Sequence, residues 1–247
     1  SGVLAGQGWR VLYVVLAVLV AGVVIPASTL LRRRLPDDRL TIEAQATHRA
    51  PRHVPFSPRV LMWMLAAAGV ACCVAMSMPQ VHIVAFCVDL GYGPAVGANM
   101  LSVMLLGGVA SRLVSGFIAD KLGGVMTLLI GSVGQMIGLI LYLPFDGMAS
   151  LYIVSLIFGL SQGGIVPAYA IIVREYMPAR EAGTRVGFVI MATILGMALG
   201  GWMSGWIYDV TGSYELAFLN GIVWNAANIA IMLILLLSGR ARRAAMA

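Results

Sequence analysis

Seven apolar runs, each long enough to cross a bilayer, decide what this chain can become. They cover residues 9–31, 59–88, 95–119, 125–143, 151–173, 186–207 and 216–237. An α-helix rises ~1.5 Å per residue and the hydrocarbon core is ~30 Å thick, so about 20 apolar residues make one crossing. No water reaches the backbone there, so each run must close its N–H and C=O bonds internally, as a helix. The expected fold class is therefore all-α and polytopic. Composition agrees: 60% of the 247 residues are hydrophobic and 11% charged, with a mean hydropathy of +0.94. A net charge of +6 could suggest a nucleic-acid partner, but the basic residues flank apolar runs. They read as topology signals in a lipid bilayer, and no nucleic acid is expected.

Orientation follows from where those residues fall. The stretch from Arg32 to Arg59 holds seven Lys/Arg, the turn after the third run holds Lys121, the connector after the fifth holds Arg174, Arg180 and Arg185, and the tail holds Arg240, Arg242 and Arg243. The loops after the second, fourth and sixth runs hold none, and only Arg10 lies on the opposite side. Positive-inside asymmetry then places the linker and C-terminus in the cytoplasm and the N-terminus outside. Residues 35–58 are polar, proline-containing and mixed in charge, so they read as a linker with at most a surface helical turn over residues 40–46. Pro79 predicts a kink near Met78 in the second run, and Pro167 lies within the fifth. The chain opens at Ser1 directly before an apolar run, without a signal peptide's basic start and cleavage site, which suggests that it begins inside a larger protein.

Arg112 is the one charge well inside a run. An arginine in hydrocarbon costs at least ~2.5 kcal/mol, so it usually faces a cavity, a partner or an ion path. It lies seven residues from the end of its run, about 10 Å at the helical rise. Snorkelling to the interface or a structural hydrogen bond is one reading; a cavity-facing guanidinium in bidentate pairing with a carboxylate substrate is the other. His82, three residues after Pro79, is either a packed histidine bonded to a carbonyl freed by the proline, or a polar contact and proton carrier. Gln80 carries the same two readings. Gln162 and Tyr169 in the fifth run are candidates for hydrogen bonding to substrate or for packing. Asn220, Asn225 and Asn228 read as interhelical hydrogen bonds. Cys72, Cys73 and Cys87 form neither a disulfide framework nor a metal-ligand spacing, and no cofactor or metal is expected. The Gly196/Gly200 and Gly201/Gly205 spacings allow close helix packing, static or sliding.

Gly116-Phe117-Ile118-Ala119-Asp120-Lys121-Leu122-Gly123 resembles the signature loop of the major facilitator superfamily, G-x-x-x-D-(R/K)-x-G. Residues Pro79 to Phe86, Ser111-Arg112-Leu113, Arg174-Glu175-Tyr176, Glu181 to Arg185 and Asp209 to Tyr214 resemble its monocarboxylate-transporter branch, which includes oxalate/formate exchangers. The resemblance covers essentially the whole chain and implies the sixth to twelfth helices of a twelve-helix transporter. It implies that Arg112 binds the substrate carboxylate. It also implies a gate at Gly116, Asp120, Lys121 and Gly123, with Asp120 meeting a helix end of the other half. Asp120 as a plain solvated loop acid is the alternative. Three departures stand out: Gly124 follows the loop where many members have a basic residue, Gly108 stands one turn before Arg112 where proton-coupled relatives place an acid, and most of the amino-terminal half is absent.

The domain expectation is a last helix of the amino-terminal half (1–34), a cytoplasmic linker (35–58), a six-helix bundle (59–239) and a cytoplasmic tail (240–247). The functional expectation is a fragment of a secondary transporter in the cell's inner membrane. It would move a small organic anion, with or without H+, by alternating access. It would be no enzyme, and its partner would be the missing half. The run at 186–207 has no Lys or Arg, where the exchanger relatives are expected to place a second basic residue for a dicarboxylate. One buried cation balances one negative charge, which favours monocarboxylates of the lactate or pyruvate kind. A drug or sugar carrier is the main rival. A seven-helix receptor and a membrane enzyme are further rivals, disfavoured by the signature loop and by the lack of paired in-membrane acids.

Overall fold

A computed structural model of the chain describes residues 8–31, 55–177 and 181–246. The predicted linker through residue 54, with its helical turn, and residues 178–180 of the connector lie outside the described residues. The chain divides into two compact units, Ser1–Arg49 and Ala50–Ala247. Among the described residues the first holds α1 (Gly8–Leu31), with Pro26 inside it.

The second unit holds α2 (Pro58–Asp89), α3 (Pro94–Leu122), α4 (Gly124–Leu141), α5 (Met148–Gln162), α6 (Ile165–Tyr176), α7 (Ala182–Thr211) and α8 (Glu215–Met246). α5 and α6 together fill one apolar span, Met148–Tyr176, so six spans here are long and apolar enough to cross a membrane. No strand occurs among the described residues.

Local chemistry sets the ends. Pro58 opens α2, where its missing N–H costs nothing, and the Ser57 hydroxyl accepts from Val60 N at 3.4 Å. Pro94 opens α3 in the same way. Gly123 ends α3 and begins α4 in a single residue with φ 85° and ψ 169°, a conformation that a side chain would strain. Gly212, at φ 67°, ends α7 with a left-handed cap. α8 runs on past the predicted seventh run to Met246; its final segment is rich in alanine and arginine, both good helix formers.

Two prolines behave differently from one another. α2 continues through Pro79. In the fifth run the helix breaks at Gly163 and Gly164, four residues before the proline; Pro167 is the third residue of α6. First-turn N–H groups have no intrahelical acceptor, so proline fits there without a lost bond.

α2 is the centre of the bundle, packed along α7, α8 and α3 and touching α6. Of its apolar window 67% is buried, against 17% for α3. One apolar cluster lies toward the basic end, around Leu61, Leu65, Leu128, Ile172 and Met232. The other lies toward the opposite end, around Met78, Met100, Tyr142, Phe158 and Phe218. Glycines draw the backbones together at several seams, among them Gly97 of α3, where a Cβ would come within 2.7 Å of Val84 Cα of α2. A Cβ at Gly159 would collide with Met104 O and one at Gly163 with Gly108 O, locking α5–α6 onto α3. A Cβ at Gly196 would come within 2.6 Å of Val70 O, and one at Gly200 would collide with Val74 O and Ser77 Oγ, locking α7 onto α2.

Candidate functional site

The α5–α6 break is where the polar groups gather. Helix interruption frees carbonyls at the end of α5, and Arg112 on the neighbouring α3 takes one: its Nε donates to Gly163 O at 3.2 Å. The side chain is otherwise exposed, and among the described residues it has no carboxylate partner. Its terminal nitrogens, the fork that matches a carboxylate, are not used by this bond. Gly108 lies one turn earlier on α3; a Cβ there would sit 3.8 Å from Gln162 Nε2 and from Gly159 O, in ordinary contact.

Gln162 is the residue directly before Gly163, only 6% exposed, and Gln80 reaches it from α2. Gln80 Nε2 donates to Gln162 Oε1 at 2.6 Å. Gln80, Gln162 and Arg112 are thus brought together from α2, α5 and α3 around one interruption. His82 stands apart from them. Its Nε2 lies 2.9 Å from Gly201 O of α7, so that nitrogen carries the proton and Nδ1 is left free. The acceptor belongs to α7, not to the turn opened by Pro79. The ring also packs on Tyr214 at 5.8 Å, whose phenol is pushed up by burial and by the carboxylates of Asp89 and Asp209.

Tyr169 is wholly buried. Its hydroxyl donates to Asn228 Oδ1 at 3.1 Å, Asn228 Nδ2 donates to Ser132 Oγ at 2.7 Å, and Asn225 Nδ2 donates to Ser132 O at 2.9 Å. That network ties α6, α8 and α4 together, and the two asparagines make the interhelical bonds expected of them. Gln135, similarly buried, donates to Cys72 O at 3.1 Å.

At the basic end the signature loop has a partner not expected from its sequence. Both carboxylate oxygens of Glu175 accept from Gly124 N, at 3.3 and 3.2 Å, so α6 caps the start of α4; a negative group there also suits the helix dipole. The signal was present in sequence as a carboxylate on the basic side, in Arg174-Glu175-Tyr176. Gly124 itself packs on α6, since a Cβ there would come within 2.7 Å of the Ile172 side chain and 3.0 Å of its N. Asp120 and Lys121 are exposed and make no hydrogen bond or ion pair with the described residues. Gly116 is exposed, and a Cβ there would meet nothing within 4 Å. Nearby, Arg185 pairs with Glu181 and donates to Pro58 O at 3.2 Å, joining the starts of α7 and α2.

Comparison with known proteins gives the family. The family model of the Major Facilitator Superfamily matches twice, over residues 1–148 and 83–245. The chain is 28% identical over 170 residues to monocarboxylate transporter 13 of Bos taurus, covering 68% of this chain and 38% of that protein. It is 29% identical over 136 residues to a 4-hydroxybenzoate transporter of Acinetobacter baylyi, covering 54% and 29%. It is 24% identical over 132 residues to a gallate transporter of Pseudomonas putida, covering 53% and 28%. The chain thus spans roughly a third of the length of these relatives. With a six-span helical unit, the signature loop and a family match over nearly its whole length, this chain belongs to the Major Facilitator Superfamily and is monocarboxylate-transporter-like.

Proposed function

We propose that this chain supplies the carboxyl-terminal six-helix half, and the last helix of the preceding half, of a secondary transporter that moves a small monocarboxylate. The observation that carries this reading is the state of Arg112. Its Nε is anchored to Gly163 O, and its terminal nitrogens have no carboxylate partner among the described residues. An anchored guanidinium is preorganised: less side-chain freedom is lost when it binds an anion, and two parallel hydrogen bonds select a planar carboxylate. With Gly108 in place of an acid, nothing one turn away competes for that charge. A dianion would carry a second charge without a cation, so one negative charge is preferred.

Alternating access needs a second bundle, and the surface of α3 fits that need: Leu105, Leu106, Val109, Leu113 and Phe117 are all exposed here. In this reading the opposite half covers α3, Asp120 meets one of its helix ends, and Gly116 allows close approach. The linker and the Arg240 tail face the cytoplasm and the protein sits in the cell's inner membrane, as the arginine alternation indicates. A proton, where one is coupled, rides on His82 Nδ1 or on a group of the opposite half. No covalent bond is made or broken.

The test is uptake of monocarboxylates by the full-length protein with Arg112→Lys and Arg112→Ala. Lysine keeps the charge but has neither the planar fork nor the Nε anchor, so both variants are expected to lose most of the uptake. Normal uptake in both, or a wild type that prefers dianions or neutral sugars, removes the carboxylate role from Arg112.

A further inference from the structure

We propose that a cavity at the end of the bundle opposite the basic one binds a small alkylammonium ion, separately from the Arg112 site. The cavity measures about 180 Å³ and is framed by the last turn of α2, the loop after α4 and the start of α8.

Its charge has one sign. Asp89, Asp146 and Glu215 line it and no Lys or Arg does. Asp89 Oδ1 accepts from the Tyr208 hydroxyl at 2.8 Å. The exposed carboxylates of Asp146 and Glu215 make no hydrogen bond or ion pair with the described residues. The Tyr92 hydroxyl donates to Asp146 O at 3.0 Å and holds that loop in place. α2 and α4 both end here, and a helix C-terminus presents free carbonyls and the negative end of its dipole. α8 begins here, but Glu215 in its first turn offsets the positive end.

The walls are aromatic. Phe86, Tyr142, Tyr214 and Phe218 line the cavity. Tyr142 stacks on Phe218 with centroids 4.9 Å apart, and Phe86 meets Phe218 at 5.3 Å and Tyr214 at 5.8 Å, edge to face. Ring faces attract a cation and tolerate its methyl groups. Tyr214 is 5% exposed, yet its hydroxyl has no hydrogen-bond partner among the described residues. That oxygen is not sealed in, since Ser204 Oγ is the enclosed side-chain atom without a partner. An unpaired phenol oxygen on a nearly buried ring, at the wall of a cavity, is a group left open for a ligand. Burial and the carboxylates of Asp89 and Asp209 push this phenol up, which reports the negative field that a cation would relieve.

A metal ion is the poorer fit. Calcium or magnesium needs six or more oxygens at ~2.0–2.6 Å, and among the described residues no three His, Cys, Asp or Glu side chains gather as a ligand group. Spread carboxylates around ring faces suit a bulky, weakly hydrated ammonium instead. Such a head comes from a free amine or from an amine-bearing lipid.

The experiment measures choline binding to the full-length protein by calorimetry, in maltoside micelles that carry no amine and at constant ionic strength, because exposed carboxylates are screened by salt. Millimolar affinity is expected, with the neutral isostere 3,3-dimethylbutan-1-ol ~10-fold weaker or more. Asp89→Asn, Asp146→Asn and Glu215→Gln are each expected to weaken choline ~2–5-fold, as for screened ion pairs. Asparagine at 89 keeps the acceptor for Tyr208, so that loss is one of charge. Phe86→Leu is expected to weaken choline by a similar factor while leaving the neutral isostere unchanged, and Arg112→Ala to leave choline binding as it is. Competition by added phosphatidylethanolamine assigns the site to a lipid head; its absence assigns it to a free amine. Equal binding of the isostere, choline affinity unmoved by the carboxylate variants, saturable calcium binding without choline binding, or no binding at all would each overturn the proposal.

Discussion

Arg112 and Tyr169 show how differently two polar side chains of one bundle can be employed. Arg112 uses one nitrogen on Gly163 O and presents the rest, whereas Tyr169 is fully enclosed with its hydroxyl committed to Asn228. Tyr169→Phe therefore tests a structural bond. It leaves Asn228 Oδ1 with a poorer set of donors in a buried site, which costs about 1–3 kcal/mol. The expected result is a lower thermal midpoint for the purified full-length protein, with an unchanged KM for its substrate. A raised KM at unchanged stability would instead return Tyr169 to the substrate site. Sequence alone leaves the two roles open, because burial and partners are set by α8 and α4, far along the chain.

At the level of elements, the break between α5 and α6 is the feature on which the site depends. Gly163 lets Gly108 O and Arg112 N approach so closely that any Cβ would collide with them. Gly163→Ala is expected to force α3 and α5 apart, costing about 1–3 kcal/mol, and to lower uptake through loss of the Arg112 anchor. Gly187→Ala on α7 is the control in this chain, since a Cβ there meets nothing within 4 Å. Uptake and melting that respond equally to both would show that the close approach is unimportant. The six spans of this unit were legible from run length and hydropathy, because the bilayer sets both. The interruption of the fifth run was not foreseen: Pro167 lies in a first turn, where a proline breaks no bond, and the paired glycines upstream were the signal. The pairing of α3 with α5 and of α2 with α7 was not legible either, since it depends on backbone approach between distant segments. Glu175 on Gly124 N was hidden for the same reason.

For the whole molecule, the poor burial of α3 matters most. Only 17% of its apolar window is covered, although Arg112 lies on it. A site formed on one bundle gives no alternating access, so the isolated chain in proteoliposomes is expected to show no saturable uptake, while the full-length protein does. Saturable uptake by the chain alone would overturn the two-bundle reading. The glycine seams have a mechanical consequence. Where α3 meets α5–α6, and where α2 meets α7, backbone lies on backbone, and no flexible side chain is interposed to absorb a displacement. These two pairs are the stiff plates of the bundle. Gln80 and Gln162 bridge from one plate to the other through long, rotatable arms. A Cβ at Gly97 of α3 would come within 2.7 Å of Val84 Cα of α2, so the two plates also touch there; any flexing within this half should pivot about that contact, with the glutamine arms taking up the movement.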